Sequence, residues 1–197
     1  PLLRTYRQAV VLLGEGRLGE GTRLLREILN DDPAMTDVWS QYAAALGRMG
    51  RYQEAFEAYG RVIKLQPDEP NGPLGASSML LLLNRPDDAR AHAELAIASA
   101  PSQAHQALAL IAVSRQRDDE ALRQADLAAA AEPGLPMPAF IRGTLAYNHQ
   151  QYEPALGFLL QAQKGYAGRS AQPRDLHFMI GDSLARLERY REAEPYL

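Results

Sequence analysis

The chain has 197 residues, 46% of them hydrophobic and 23% charged, with a net charge of −3 and both signs interspersed. That balance belongs to a folded chain and excludes a disordered one. It also lacks the Lys/Arg-rich stripe that neutralises phosphates, so no nucleic-acid partner is expected; lysine occurs only at Lys64 and Lys164.

The absence of cysteine removes disulfides, thiolate nucleophiles and Cys-based zinc sites, and leaves the compartment open between cytoplasm and periplasm. No apolar run approaches the ~20 residues that span a bilayer; the longest runs from Met79 to Leu83. The chain opens at Pro1 without Met and stops at Tyr196-Leu197 in what reads as the start of a helix, so a fragment of a longer, bacterial protein is expected.

From the N-terminus, the chain reads as six helix-pair repeats at 2–35, 36–69, 70–101, 102–135, 136–172 and 173–197, the last cut within its second helix. Pro33, Pro67 and Pro101 follow one another at 34 residues and Pro133 at 32, each after an apolar-periodic run, where proline fits a helix stop. Small residues keep the same step. Ala9, Ala43, Ser77, Ala109, Gly143 and Gly181 fall in the first helices, and Gly21, Ala55, Ala89, Ala121, Ala155 and Ala193 follow twelve positions later in the second. Short turns separate the two series, among them Gly16-Arg17-Leu18, Gly50-Arg51-Tyr52 and Glu188-Arg189-Tyr190. Two antiparallel helices can approach closely only where side chains are small, and stacked pairs bury what one pair cannot.

The run Trp39, Tyr42-Ala43, Leu46, Gly50-Arg51-Tyr52, Ala55, Tyr59, Val62 and Pro67 resembles the tetratricopeptide repeat, and the likeness extends over all six copies. The resemblance implies an all-α, right-handed superhelical solenoid of antiparallel helix pairs. It also implies a non-enzymatic scaffold that binds a peptide or helix segment of a protein partner in a concave groove lined by the first helices. Carried over position by position, the groove takes Tyr6 and Val10; Asp37, Ser40, Ala44 and Arg48; and Asn71, Leu74 and Ser78. It continues through Gln103, Gln106, Leu110 and Ser114; Met137, Phe140, Thr144, Tyr147 and Asn148; and Asp175, Phe178, Asp182 and Arg186. The basic residues with which some members clamp chaperone carboxylates are missing: Tyr6, Val10, Gln41, Asn71 and Gly75 stand there.

The later repeats place aromatics beside hydrogen-bonding groups, which suits an anchored segment. The partner-binding surface is therefore expected at Gln106, Leu110, Phe140, Thr144, Tyr147, Asn148, Phe178, Asp182 and Arg186, with Phe140, Tyr147 and Phe178 exposed as aromatic anchors. Phe140 and Phe178 packing against the neighbouring repeat is the alternative.

Several stretches depart from the repeat. The first helix of the third copy is expected to begin at about Pro73, and the two-residue deficit of the fourth falls after Pro101. Residues 165–173 are expected to form a longer loop. His92, His105, His149 and His177 form no helical metal motif and are expected at the surface or core edge, without a histidine or carboxylate at helical spacing. Carboxylate pairs such as Asp87-Asp88 sit at helix starts, where they suit the dipole. Trp39, Tyr52, Tyr152 and Tyr190 read as packing residues. No phosphate-loop or nucleophile-elbow motif occurs, so no catalytic, cofactor or metal residue is assigned. A structural or self-association segment of a larger protein, attached to a catalytic domain such as a sulfatase-like hydrolase, is the alternative function. A homodimer through the cut last repeat is a further expectation.

Overall fold

A computed structural model describes residues 2–169 and 172–197. Among the described residues there are helices and turns and no strand. The helices are α1 (Leu2–Gly14), α2 (Leu18–Asp31), α3 (Thr36–Arg48), α4 (Tyr52–Leu65), α5 (Asn71–Leu82) and α6 (Pro86–Leu95). They continue as α7 (Pro101–Ser114), α8 (Asp118–Ala131), α9 (Met137–Asn148), α10 (Tyr152–Tyr166), α11 (Leu176–Arg186) and α12 (Tyr190–Ala193), followed by a 3₁₀ turn, Glu194–Tyr196. The contacts divide the chain into two compact units, residues 1–107 and 108–197, with the division inside α7. Ser170 and Ala171, in the stretch expected to form the long loop, lie outside the described residues.

The turn within each helix pair is one device used six times. The chain leaves the first helix through a residue in the left-handed region: Gly16, Gly50, Asn84, Gln116, Gln150 and Glu188, with φ between 56° and 80°. The next residue's N–H returns to a carbonyl of the last turn, as in Arg51 N to Leu46 O at 3.0 Å and Gln151 N to Ala146 O at 2.8 Å. Gly50 N donates to Gly47 O at 3.0 Å and Gln150 N to Tyr147 O at 2.9 Å. These paired bonds are the Schellman closure, which satisfies carbonyls that the helix end would otherwise orphan.

The residue after the left-handed one then starts the second helix, its carbonyl accepting from Ala55 N in the second repeat and Ala155 N in the fifth. In five repeats that residue is an arginine whose side chain reaches a carboxylate three positions on: Arg17–Glu20, Arg51–Glu54, Arg85–Asp88, Arg117–Glu120 and Arg189–Glu192. The guanidinium holds the Glu20, Glu54 and Glu192 carboxyls below the usual range. The fifth repeat has Gln151 and Pro154 at those places.

In the N-terminal unit each helix from α1 to α6 packs on the next, and α3 also meets α5. Ala9, Leu13, Leu25, Ile28, Leu29, Val38 and Ala45 form one buried cluster, edged by Tyr6, Trp39 and Tyr42. Ala43, Leu46, Ala55 and Ala58 form a second beneath Tyr59 and Met79. The small residues stand where the helices touch: Ala9, Ala43, Ala55 and Ala89 are completely buried. A Cβ on Gly21 would come within 2.6 Å of Leu13 and 3.2 Å of the Ala9 carbonyl. Trp39 packs edge-on to Tyr42, and its Nε1 donates to Pro33 O at 2.9 Å, tying the junction between repeats. Arg48 donates to Leu13 O at 3.0 Å, capping the end of α1 from a repeat away.

The C-terminal unit has one continuous core built from Ala109, Ala121, Phe140, Ile141, Ala155, Leu156, Leu159, Leu176, Ile180 and Leu184, among others. Its helices pack in sequence from α8 to α12, and α9 also touches α11. Gly143 lies flat on α10, where a Cβ would sit 2.7 Å from Leu159 and 3.2 Å from the Leu159 backbone nitrogen. Gly181 is covered by Tyr196 of the 3₁₀ turn and by Leu197 after it.

Three local expectations are corrected. Helix α5 starts at Asn71, two residues before Pro73, because the first four N–H groups of a helix need no intrahelical acceptor and proline costs nothing there. Pro101 is the first residue of α7 and does not close the preceding helix, which ends at Leu95. Tyr190 is 66% exposed, not packed. Its counterpart Tyr152 lies edge-on to Tyr147, whereas the fifth residue before Tyr190 is Ala185, which offers no ring.

The left-handed residues yield a stability prediction. A non-glycine residue there costs about 1 kcal/mol, so Gln150→Gly should raise unfolding free energy by about that amount and Gly50→Ala should lower it by about as much. Urea midpoints measured at constant m-value read both.

Candidate functional site

Four of the residues named from the sequence converge with Tyr152 around the tail of α9 and the face of α11. Phe178, Asp182 and Arg186 follow one another at four-residue intervals along α11, which places them on one side of it. Tyr147, in the last turn of α9, donates its hydroxyl hydrogen to Asp182 Oδ2 at 2.8 Å. Arg186 Nε approaches Asp182 Oδ1 at 3.5 Å, and its guanidinium stands 5.9 Å from the Tyr152 ring centroid. Tyr152 in turn meets Tyr147 edge-on at 6.0 Å. The carboxylate is thus shared between a phenol and a guanidinium, while two tyrosine rings and an arginine form an aromatic-cationic surface.

Burial pushes the Tyr147 hydroxyl up to about 12, and Asp182 adds to this by accepting its hydrogen and by repelling a phenolate; Arg186 opposes the shift weakly. Tyr147 is therefore a neutral hydrogen-bond donor through the physiological range. Phe178, one turn before Asp182, is 57% exposed. The arrangement offers recognition chemistry: an apolar ring, a phenol held in place and a guanidinium with an open edge.

Other expected residues are placed differently. Phe140 is 5% exposed and belongs to the core of its unit, so its reading as an exposed anchor is corrected. The physical reason is the neighbouring first helix: α11 touches α9 and brings Leu176 and Met179 into the same cluster. Thr144 donates to Phe140 O at 2.9 Å within its own helix. Asn148 is exposed at the end of α9, and Leu110 is 38% exposed on α7. Gln106, in the N-terminal unit, donates to Ser102 Oγ at 3.2 Å.

The histidine reading needs one correction: Asp88 stands one turn before His92 in α6 and acts on it. Burial lowers the His92 pKa, and the Asp88 charge opposes that. Among the described residues no three His, Asp or Glu side chains converge in a metal-binding cluster, and no helix is long and apolar enough to cross a membrane.

The N-terminal unit holds a concavity outside the residues selected from the sequence as the binding surface. It encloses about 410 Å³ between α3 and α5, with Ser40, Gln41 and Ala44 on one wall, Asn71, Leu74 and Ser78 on the other, and Tyr59 of α4 at its base. Gly75 makes the base possible, because a Cβ there would stand 2.3 Å from the Tyr59 ring. The wall residues other than Gln41 were assigned to the groove by position. The signal that marks them as a cavity is their size: serine, alanine and glycine stand where larger side chains would fill the space.

Residues 36–69 match the family model of the tetratricopeptide repeat. No curated protein sequence matches the chain. Among solved structures, PilW, described as a widely conserved type IV pilus biogenesis factor, is similar with a TM-score of 0.76 and 16% identity over 99% of this chain and 90% of that one. PilF of Pseudomonas aeruginosa gives a TM-score of 0.70 at 16% identity over 99% and 88%. A thermophilic TPR protein of Thermus thermophilus gives 0.76 at 17% over 94% and 100%. The chain has the tetratricopeptide-repeat fold, a fold typical of protein–protein interaction scaffolds.

The Tyr147–Asp182 bond can be checked by titration. Because the folded pKa lies above the ordinary 10, its stabilising effect is complete below pH 10 and is lost as pH rises through about 12. Asp182→Asn should lower one tyrosine's ultraviolet titration from about 12 by the part that Asp182 contributes, leaving the part due to burial, and lessen the loss of stability between pH 10 and 12.

Proposed function

We propose that the chain is a non-enzymatic scaffold whose first-helix face in the C-terminal unit holds a peptide or helical segment of a partner protein. The observation that carries the reading is Phe178, more than half exposed beside the Tyr147–Asp182–Arg186 cluster. An isolated exposed apolar side chain needs no explanation. This one adjoins a pre-positioned phenol and guanidinium, the residue types that dominate binding hot spots along with tryptophan. Asp182 fixes Tyr147 before any partner arrives, so less side-chain entropy is lost on binding.

An amphipathic helix or an extended segment could present an apolar side chain to Phe178 and a carbonyl or carboxylate to Arg186. The fold's common use in interaction scaffolds supports the class of function.

The partner need not be identified for a test. Dodecapeptides selected from a random display library on the intact chain should lose at least tenfold in affinity on Phe178→Ala combined with Arg186→Ala, with the melting temperature unchanged. Selected peptides that bind the double variant as tightly as the parent would refute this placement. The same selection decides the self-association reading. If Phe178 joins two copies instead, sedimentation shows a concentration-dependent dimer that Phe178→Asp abolishes, and the selected peptides do not compete with it.

A further inference from the structure

A cleft of about 680 Å³ opens in the C-terminal unit at the head of α9, the opposite end of that helix from Tyr147. The lining residue of α9 nearest to Tyr147 is Arg142, five residues or about 7.5 Å along the helix, and the cleft shares no residue with the cluster around Asp182. Its volume lies within the ~300–1,000 Å³ of ligand-binding pockets. Leu135 and Pro136, from the segment before α9, form one apolar wall, and Phe158 of α10 supplies another. The walls are stiff. Pro136 and Pro138 fix the backbone, and Gly165 lies so close to Pro136 that a Cβ would come within 2.7 Å of its ring.

The charge at this cleft runs against that of the protein. The chain is net negative, yet the lining contains Arg142 and Lys164 and no carboxylate. Two acids reach the edge: Asp126 Oδ1 lies 3.1 Å from an Arg142 terminal nitrogen, and Glu132 lies beside the approach. Lys164 has no ion-pair partner among the described residues. Arg169, beside the approach, hydrogen-bonds to Gly134 O at 3.4 Å and pairs with Glu132 at 3.2 Å, so it adds no net charge there. The first turn of α9 carries no acidic residue, so the positive end of its dipole adds to the field.

We infer that this cleft is a second docking site, for a protein segment in which a large apolar side chain is flanked by carboxylates. The apolar side chain enters between Leu135, Pro136 and Phe158. The carboxylates meet Arg142 and Lys164 at the rim, where the guanidinium can accept a second carboxylate on the edge that Asp126 leaves open. Apolar burial supplies affinity, and the two cations select acidic flanks and speed encounter.

The experiment uses fluorescein-labelled octapeptides of leucine, phenylalanine, aspartate and glutamate, with counterparts in which every acid is replaced by its amide, read by anisotropy on the intact chain. The acidic peptides should bind at least tenfold more tightly than their amides and weaken as salt rises. Arg142→Gln with Lys164→Gln, which removes both charges without placing repulsion beside Asp126, should cost at least tenfold. Arg23→Gln with Arg26→Gln, on the N-terminal unit, should cost nothing. Phe178→Ala should also leave binding intact, so the failure of this site and of the first-helix face are read separately. The inference is overturned if no acidic peptide binds, if amide peptides bind equally well, if the Arg142/Lys164 variant binds unchanged, or if Phe178→Ala abolishes binding.

Discussion

Antiparallel helices can lie at backbone contact only where neither presents a side chain longer than a methyl group toward the other, and that steric allowance governs the architecture of both units. Ala43 and Ala55 in the second repeat, like Gly143 and Ala155 in the fifth, are buried completely or nearly so at such crossings. Larger residues are arranged around the crossings: Leu46, Tyr59 and Met79 in one unit, Leu156, Leu159 and Ile180 in the other. Each pair buries its apolar stripe only because a neighbouring pair lies against it, which is how short helices of modest individual stability become cooperative.

The turns complement this spacing. A left-handed residue followed by a backbone bond to the preceding helix closes one rod and opens the next within three residues. Glycine fills this position twice and asparagine, glutamine or glutamate elsewhere, so the geometry is imposed by packing even where the local residue resists it. The repeated Arg–carboxylate pair at the start of the second helix is solvent-exposed, and surface pairs of this kind contribute little stability. Its chief local effect is to place a negative charge near the helix N-terminus.

Helix pairing and the crossing residues were legible in the sequence because both follow from a period, and a period survives without knowledge of the tertiary structure. Boundaries were less so. Pro73 suggested a late start for α5, but proline within a first turn is compatible with several starting points, and the sequence does not choose between them. The site divided along the same line. Tyr147, Asp182 and Arg186 were assigned to one face by repeat position, and they meet. Phe140 and Phe178 hold equivalent positions, yet one is buried and the other open. That difference comes from which helix lies alongside, something no position within a repeat records. The walls of the cavity above Tyr59 fell on groove positions, but its depth depends on how the Tyr59 ring lies under Gly75, which repeat position does not record.

The functional reading rests on the same packing, since the Tyr147–Asp182 bond spans α9 and α11 and exists only while those helices keep their spacing. The most direct measurement compares leucine substitutions at Ala55 and Ala155 with the same change at the exposed Ala91 and Ala130, using urea denaturation of each single variant. Overpacking at the crossings should cost about 1–3 kcal/mol or more, while the exposed pair should stay within about 0.5 kcal/mol of the parent. Equal effects in the two groups would contradict the account, because helix spacing would then not depend on the small residues.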